Sequence, residues 1–172
     1  MKIKEVTIFG GTGLIGKYLL KILTDDPEIN TINFVTRRTV EINNKKVKVQ
    51  VIDFSNKQSI LNSIKNSSIV FSAIGTTQSR VKGDSKKYRE VDFDITFNIA
   101  NACKEKNVEH FSFISSSGAD FKSNNFYLKL KGEIENSIIK LKLKSLSILR
   151  PSLLLGKRNE KRYGEQIAQF VM

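Results

Sequence analysis

The chain is poor in the residues that make covalent cross-links and metal sites. One cysteine, Cys103, and one histidine, His110, occur in 172 residues. A lone cysteine excludes an internal disulfide, and one of each argues against a zinc-type ligand set, so no metal is expected. Cys103 falls in an apolar helical stretch and reads as a small core residue. No apolar run approaches the length that a membrane span requires. Linkers, internal repeats and low-complexity segments are lacking too. The first residues, Met1-Lys2-Ile3-Lys4-Glu5-Val6-Thr7, lead directly into a strand-like run, which predicts no signal peptide and a cytoplasmic protein.

Acidic residues are also in short supply: 17 Asp and Glu stand against 29 Lys and Arg, a formal net charge of +12. Such an excess can signal nucleic acid or an acidic membrane surface. Here the basic residues are spread along the chain, and no recognised nucleic-acid motif occurs. The charge reads as a lysine-rich composition, and neither nucleic acid nor membrane is an expected partner. At 40% hydrophobic, the chain suffices for one domain with a real core.

What is present is an alternation of strand-type and helix-type patterns. Val6-Thr7-Ile8-Phe9 reads as a buried strand ending in glycines. Leu14, Ile15, Tyr18, Leu19, Ile22 and Leu23 follow at helical spacing, and Asp25-Asp26-Pro27 stops that helix. Residues 31–36 and 47–52 read as the second and third strands, 59–64 as a short helix, and 69–74 as the fourth strand. Val91, Ile95, Ile99 and Cys103 recur four apart, which predicts one long helix over residues 86–106. The fifth and sixth strands are expected at 111–114 and 146–149.

Between these last two strands lies an ambiguous stretch. Phe126-Tyr127-Leu128-Lys129-Leu130-Lys131 alternates as a half-buried strand does, yet it also sets a tyrosine four positions before a lysine. Ser123-Asn124-Asn125 offers N-cap side chains just ahead, and Lys131, Ile134, Glu135 and Ile138 continue at helical spacing. A parallel sheet needs a crossover here, so a helix is expected, with Tyr127 and Lys131 on one face. The predicted fold is α/β: a doubly wound, Rossmann-like parallel sheet with helices on both faces, in a single domain over residues 1–172. Ligands of such sheets bind at the carboxyl ends of the strands.

Gly10-Gly11-Thr12-Gly13-Leu14-Ile15-Gly16 closes the first strand and opens the first helix. Gly10 allows the tight turn, Gly13 lets the backbone approach a pyrophosphate, and Gly16 lets the helix pack on the strand. The anion then sits on unpaired N–H groups at the positive end of the helix dipole. The end of the second strand bears on the choice of cofactor. NAD sites usually place a carboxylate there, whereas this chain has Phe34-Val35-Thr36-Arg37-Arg38. Arg37 and Arg38 suit a ribose 2′-phosphate, so NADP(H) is preferred over NAD(H). Asp53-Phe54, at the end of the third strand, sits where an adenine ring usually packs.

With these residues placed, the chain resembles the atypical or extended short-chain dehydrogenase/reductases, and within them the small oxidoreductases related to the Tat-interacting protein. The resemblance runs over nearly the whole length. It includes the glycine loop, Arg37-Arg38, Asp53-Phe54, Gly75-Thr76-Thr77 and Val91-Asp92. It continues through Ser115-Ser116-Ser117-Gly118-Ala119-Asp120, Tyr127 with Lys131-Gly132-Glu133, Leu149-Arg150-Pro151, and Gly156-Lys157-Arg158-Asn159-Glu160-Lys161-Arg162 followed by Gly164-Glu165. It implies cofactor contacts from Gly10, Thr12, Gly13, Leu14, Ile15 and Gly16, and from Arg37, Arg38, Asp53 and Phe54. Ala73, Gly75, Thr76 and Pro151 are implied to join them.

In that superfamily the tyrosine exchanges a proton with the substrate oxygen, and the lysine supports it and holds the nicotinamide ribose. A serine after the fifth strand hydrogen-bonds the substrate carbonyl. The resemblance therefore implies catalytic roles for Tyr127, Lys131 and Ser116, with Ser117 the other candidate for the serine. It implies an oxidoreductase that acts on a small carbonyl or alcohol substrate; a protein partner or homodimer stays open. The alternative class is a cofactor-bound regulatory or interaction protein, in which the Tyr127–Lys131 pair serves binding alone. Relatives continue past the position of Met172, so the elements that build the substrate side are expected to be short or missing.

Overall fold

Val6, Ile8 and Phe9 are fully buried in the first strand, β1 (Lys4–Phe9), and around them the rest of the sheet is arranged. The computed structural model describes residues 4–152 and 154. Five further strands are β2 (Ile29–Thr36), β3 (Val47–Val51), β4 (Ile69–Ser72), β5 (His110–Ile114) and β6 (Leu146–Leu149). They join β1 in one sheet of order β3-β2-β1-β4-β5-β6, and each neighbouring pair is parallel. The order reverses at β1 and β4, whose carboxyl ends diverge into loops on opposite sides. Such a switch point opens a crevice for a ligand.

The pleat sorts β1 residues between two apolar layers. Val6 and Ile8 pack with Leu19, Leu20 and Leu23 of α1 (Leu14–Asp25). Phe9 faces the opposite side, in the larger cluster that holds Ile60 of α2 (Lys57–Ser63), Ile99 and Cys103 of α4 (Thr96–Glu105), and Ile134 and Ile138 of α5 (Phe126–Lys140). Helices thus cover both faces, as the alternating pattern predicts. Tyr18 and Ile22, expected in the inward stripe of α1, are 60% and 65% exposed. Leu19, Leu20 and Leu23 face the sheet instead.

The ambiguous stretch is helical. α5 starts at Phe126, and the Asn125 side chain caps it by accepting from the Leu128 N–H at 3.1 Å. The helix expected over residues 86–106 is right in extent but not in winding. α3 (Ser85–Arg89) runs into a π-helical turn at Glu90–Ile95 before α4 begins. A π turn widens the coil locally and shifts the face that follows. Asp92, Phe93 and Thr96 are buried, while Val91 and Ile95, set back from Ile99 by strict steps of four that drift off a 3.6-residue stripe, are only half-buried. The period-four reading missed this because it assumes a single register.

Cys103 is buried at 1% exposure, and burial pushes its thiol well above the ordinary range. Only the thiolate is nucleophilic, so the native protein should not react with a disulfide reagent at neutral pH. One equivalent should be released once guanidinium unfolds the chain. Colorimetric thiol titration reads both states, and rapid native reaction would contradict the packing.

Candidate cofactor and catalytic site

α1 begins without a side-chain cap, with Gly13 in the cap position and no acidic residue in the first turn. Its first amides are therefore unclaimed by any side chain, and the positive end of the helix dipole is uncompensated. Thr12, Gly13, Leu14, Ile15 and Lys17 line a cavity of about 360 Å³ at the carboxyl ends of β1, β4 and β5. Gly10 has φ +77°, and a Cβ there would lie 2.5 Å from the Ala73 carbonyl. At Gly16 a Cβ would lie 2.4 Å from the Gly10 oxygen, so both positions hold the turn against its neighbours. Gly13 differs. Its nearest neighbour for a Cβ is the Gly10 oxygen at 3.4 Å, so the chain's own packing does not demand glycine there. An open cap, a close-approach glycine and a basic Lys17 fit the pyrophosphate of a dinucleotide.

The other wall comes from α5. Tyr127, Lys131 and Glu135 recur at four-residue spacing on one face. Lys131 and Glu135 are 4% and 3% exposed, and charges so deep need partners. Lys131 Nζ sits 2.9 Å from Asp92 Oδ1, donates a long bond of 3.5 Å to the Ile114 carbonyl, and lies 5.8 Å from the centre of the Tyr127 ring. Asp92 Oδ2 accepts the Thr76 backbone N–H at 2.7 Å. One carboxylate thus ties α5 to the loop after β4. The Tyr88 hydroxyl donates to the Thr76 carbonyl at 3.2 Å, and its ring meets Tyr127 edge-on at 6.2 Å.

Glu135 is held from two sides. Ser115 donates its hydroxyl to Oε1; Arg150 donates Nε to the same oxygen at 2.9 Å and a terminal nitrogen to Oε2. These hydrogen bonds, and then the carboxylate charge, raise the Arg150 pKa. Ser115 is consumed by this network, and the Ser117 N–H is tied to the Pro151 carbonyl at 2.9 Å. Ser116, between them, lines the cavity, and Ser117 does not. Tyr127, Lys131 and Ser116 are thus brought to one cavity.

Of the residues expected to touch the cofactor, Thr12, Gly13, Leu14, Ile15, Ala73, Gly75, Thr76, Tyr127, Lys131 and Pro151 line this cavity. Gly10 and Gly16 lie beneath it, as shaping residues. Arg37 and Arg38 are exposed beyond the end of β2 and do not line it. Asp53 and Phe54, which follow β3, do not line it either. The Ser55 backbone N–H and then its hydroxyl, each at 2.8 Å, claim the Asp53 carboxylate and hold its pKa below the ordinary range. Phe54 is 7% exposed and packs edge-on against Phe9, with ring centres 5.9 Å apart. Its ring belongs to the core. The stretch from Gly156 to Glu165 lies outside the described residues. Sequence reasoning missed the contributions of Lys17, Arg80, Asp92 and Ser115; an acid in line with Thr96 and Ile99 at helical spacing was the available signal for Asp92.

The profile of the NAD(P)H-binding family matches residues 10–164. The mitochondrial protein FMP52 of Candida albicans is 36% identical over 169 residues, 95% of this chain and 73% of that protein. The rat protein HTATIP2 is 32% identical over 172 residues, 98% and 70% of the respective lengths. Among solved structures, Pen from Bacillus thuringiensis superposes with a TM-score of 0.79 at 21% identity, over 92% of this chain and 55% of that one. UDP-N-acetylglucosamine 4-epimerase from Bacillus cereus gives 0.75 at 20%, over 91% and 59%. The chain therefore spans little more than half the length of these structures, which share its fold. The cytoplasmic expectation is overturned by the fungal relatives, which are named as mitochondrial proteins. Among the described residues no helix is long and apolar enough to cross a membrane. By its sequence match, and in keeping with the expected kinship to the Tat-interacting protein, the chain belongs to the NAD(P)H-binding family.

Proposed function

We propose that this chain is an NADP(H)-dependent oxidoreductase of the short-chain dehydrogenase/reductase type, interconverting a carbonyl and an alcohol. The observation that carries this reading is the convergence of Tyr127, Lys131 and Ser116 on the cavity that also receives the uncapped start of α1. The bound nicotinamide supplies or accepts the hydride. Ser116 donates a hydrogen bond to the substrate oxygen and orients the carbonyl. Tyr127 gives its phenolic proton to that oxygen as the carbonyl carbon gains hydride, and takes a proton back in the reverse direction. Lys131 holds the ribose hydroxyls, and the first amides of α1 hold the pyrophosphate. Arg37 and Arg38, with no carboxylate at the end of β2, favour a 2′-phosphate.

Tyr127→Phe keeps the ring and its edge contact with Tyr88 but removes the proton. Turnover of a carbonyl panel with NADPH should fall by ~10²–10⁴, with cofactor affinity nearly unchanged. Turnover that survives the change would assign proton transfer to another group. An unmutated protein that binds NADPH tightly and reduces nothing would favour a regulatory module.

The two loop glycines should separate folding from binding. Gly10→Ala forces a Cβ against the Ala73 backbone at positive φ and should lower stability by about 1–3 kcal/mol. Gly13→Val should melt near the unmutated temperature yet fail to bind either cofactor by calorimetry. Normal binding by Gly13→Val would reduce the loop to a structural turn.

Calorimetry should also find NADPH bound more tightly than NADH. Arg37→Ala should remove most of that difference, a loss of about 1.5–3 kcal/mol for a charge-assisted contact. Equal affinities in the unmutated protein would refute the NADP(H) preference.

A further inference from the structure

We propose that Asp92 is a positioning residue: its carboxylate, carried on the π turn at Glu90–Ile95, sets Lys131 and the Thr76 loop in cofactor-binding geometry. Two independent observations meet here. The first is the double contact of one buried carboxylate, 2.9 Å to Lys131 Nζ through Oδ1 and 2.7 Å from the Thr76 N–H through Oδ2. The second is the π turn itself, an irregular winding that gives up regular helix hydrogen bonding and recurs at functional sites. Asp92 is buried at 3% exposure within this turn, in line with the buried Tyr88, Thr96 and Ile99.

The ammonium has three N–H donors. Asp92 takes one and the Ile114 carbonyl weakly takes a second, which leaves one for a ligand hydroxyl. Lys131 is thus held at one point in the cavity, and its long side chain is ordered before any ligand arrives. Thr76, placed by the same carboxylate, lines the cavity beside Gly75. The two halves of the site, the loop after β4 and the face of α5, are set by a single residue. Preorganisation of this kind raises affinity by removing the cost of ordering on binding.

This inference rests on the reading that Lys131 serves the cofactor ribose, and its test needs no turnover. NADPH affinity is measured by calorimetry on the full chain for the unmutated protein, Asp92→Asn, Lys131→Met and the double variant. Asp92→Asn keeps the shape and one acceptor while removing the charge, and it should weaken binding roughly tenfold or more. In the Lys131→Met background the same change should add little, because the residue it positions is already gone. A folded Asp92→Asn that binds NADPH normally overturns the proposal, as does a full additional loss in the Lys131→Met background. If Asp92→Asn does not fold, Asp92→Leu with Lys131→Met removes both charges together and is compared with Lys131→Met alone. Equal affinities support the positioning role, and a further tenfold loss overturns it. Failure of the oxidoreductase reading would appear separately, as an inactive protein whose cofactor affinity still depends on Asp92 and Lys131 in this coupled way.

Discussion

An ammonium buried at the foot of a cavity requires a carboxylate, and much of the site follows from meeting that requirement. Lys131 comes from a helix whose neighbouring inward residues, Leu130 and Ile134, are core. Asp92 reaches it from the π turn that precedes α4. The same carboxylate then takes the Thr76 amide and so fixes the loop that leaves the switch point of the sheet. A buried pair of this kind adds little net stability, since desolvation offsets most of the attraction. What it supplies is register: loop, π turn and α5 can meet in few other ways without stranding a charge. The second buried carboxylate repeats the logic one turn further along α5, where Glu135 secures Ser115 on β5's exit and Arg150 on β6's exit.

The distribution of charge is more informative than its total. Read as composition, +12 is diffuse and points to no partner. In three dimensions the cavity wall carries Lys17, Arg80 and Lys131, with Asp92 its acidic member and already committed to Lys131. The uncapped start of α1 adds the helix dipole to the same wall. The wall is therefore net positive, which suits an anionic dinucleotide. The remaining lysines raise the general field and favour encounter with anions without specifying one.

The elements that were legible in the sequence are those whose signals are local. Strands and crossovers follow from apolar runs and their stops, α5 from Asn125 and the spacing of Lys131, Ile134 and Ile138, and the glycine loop from its place between β1 and α1. The parts that were not legible depend on pairs far apart in sequence. Lys131 is legible as a site residue, but its pairing with Asp92, 39 positions away, is not, and no periodicity announces a π turn. The edge contact of Phe54 with Phe9 is another such pair, 45 positions apart and unannounced in the sequence. Location is of another kind again. The residues that build a Rossmann-like core carry no address, and the mitochondrial names of the fungal relatives supplied what the core could not.

The three consecutive serines show how far local chemistry is decided by topology. Ser115, Ser116 and Ser117 carry the same hydroxyl, and sequence alone ranked the last two by family pattern. The pleat turns Ser115 toward α5, where the buried Glu135 needs a donor and takes it. The segment after β6 captures the Ser117 amide through Pro151, leaving that residue exposed and outside the cavity. Ser116 remains, half-buried on the cavity wall, with only a 3.2 Å contact from its hydroxyl to the adjacent Ser117 carbonyl. In the proposed reaction the substrate oxygen would meet Ser116 because the two flanking serines are already held by structure. Arg150, through Glu135, and Pro151, through the Ser117 amide, thus link the exit of β6 to the two flanking serines and leave the Ser116 hydroxyl on the cavity wall.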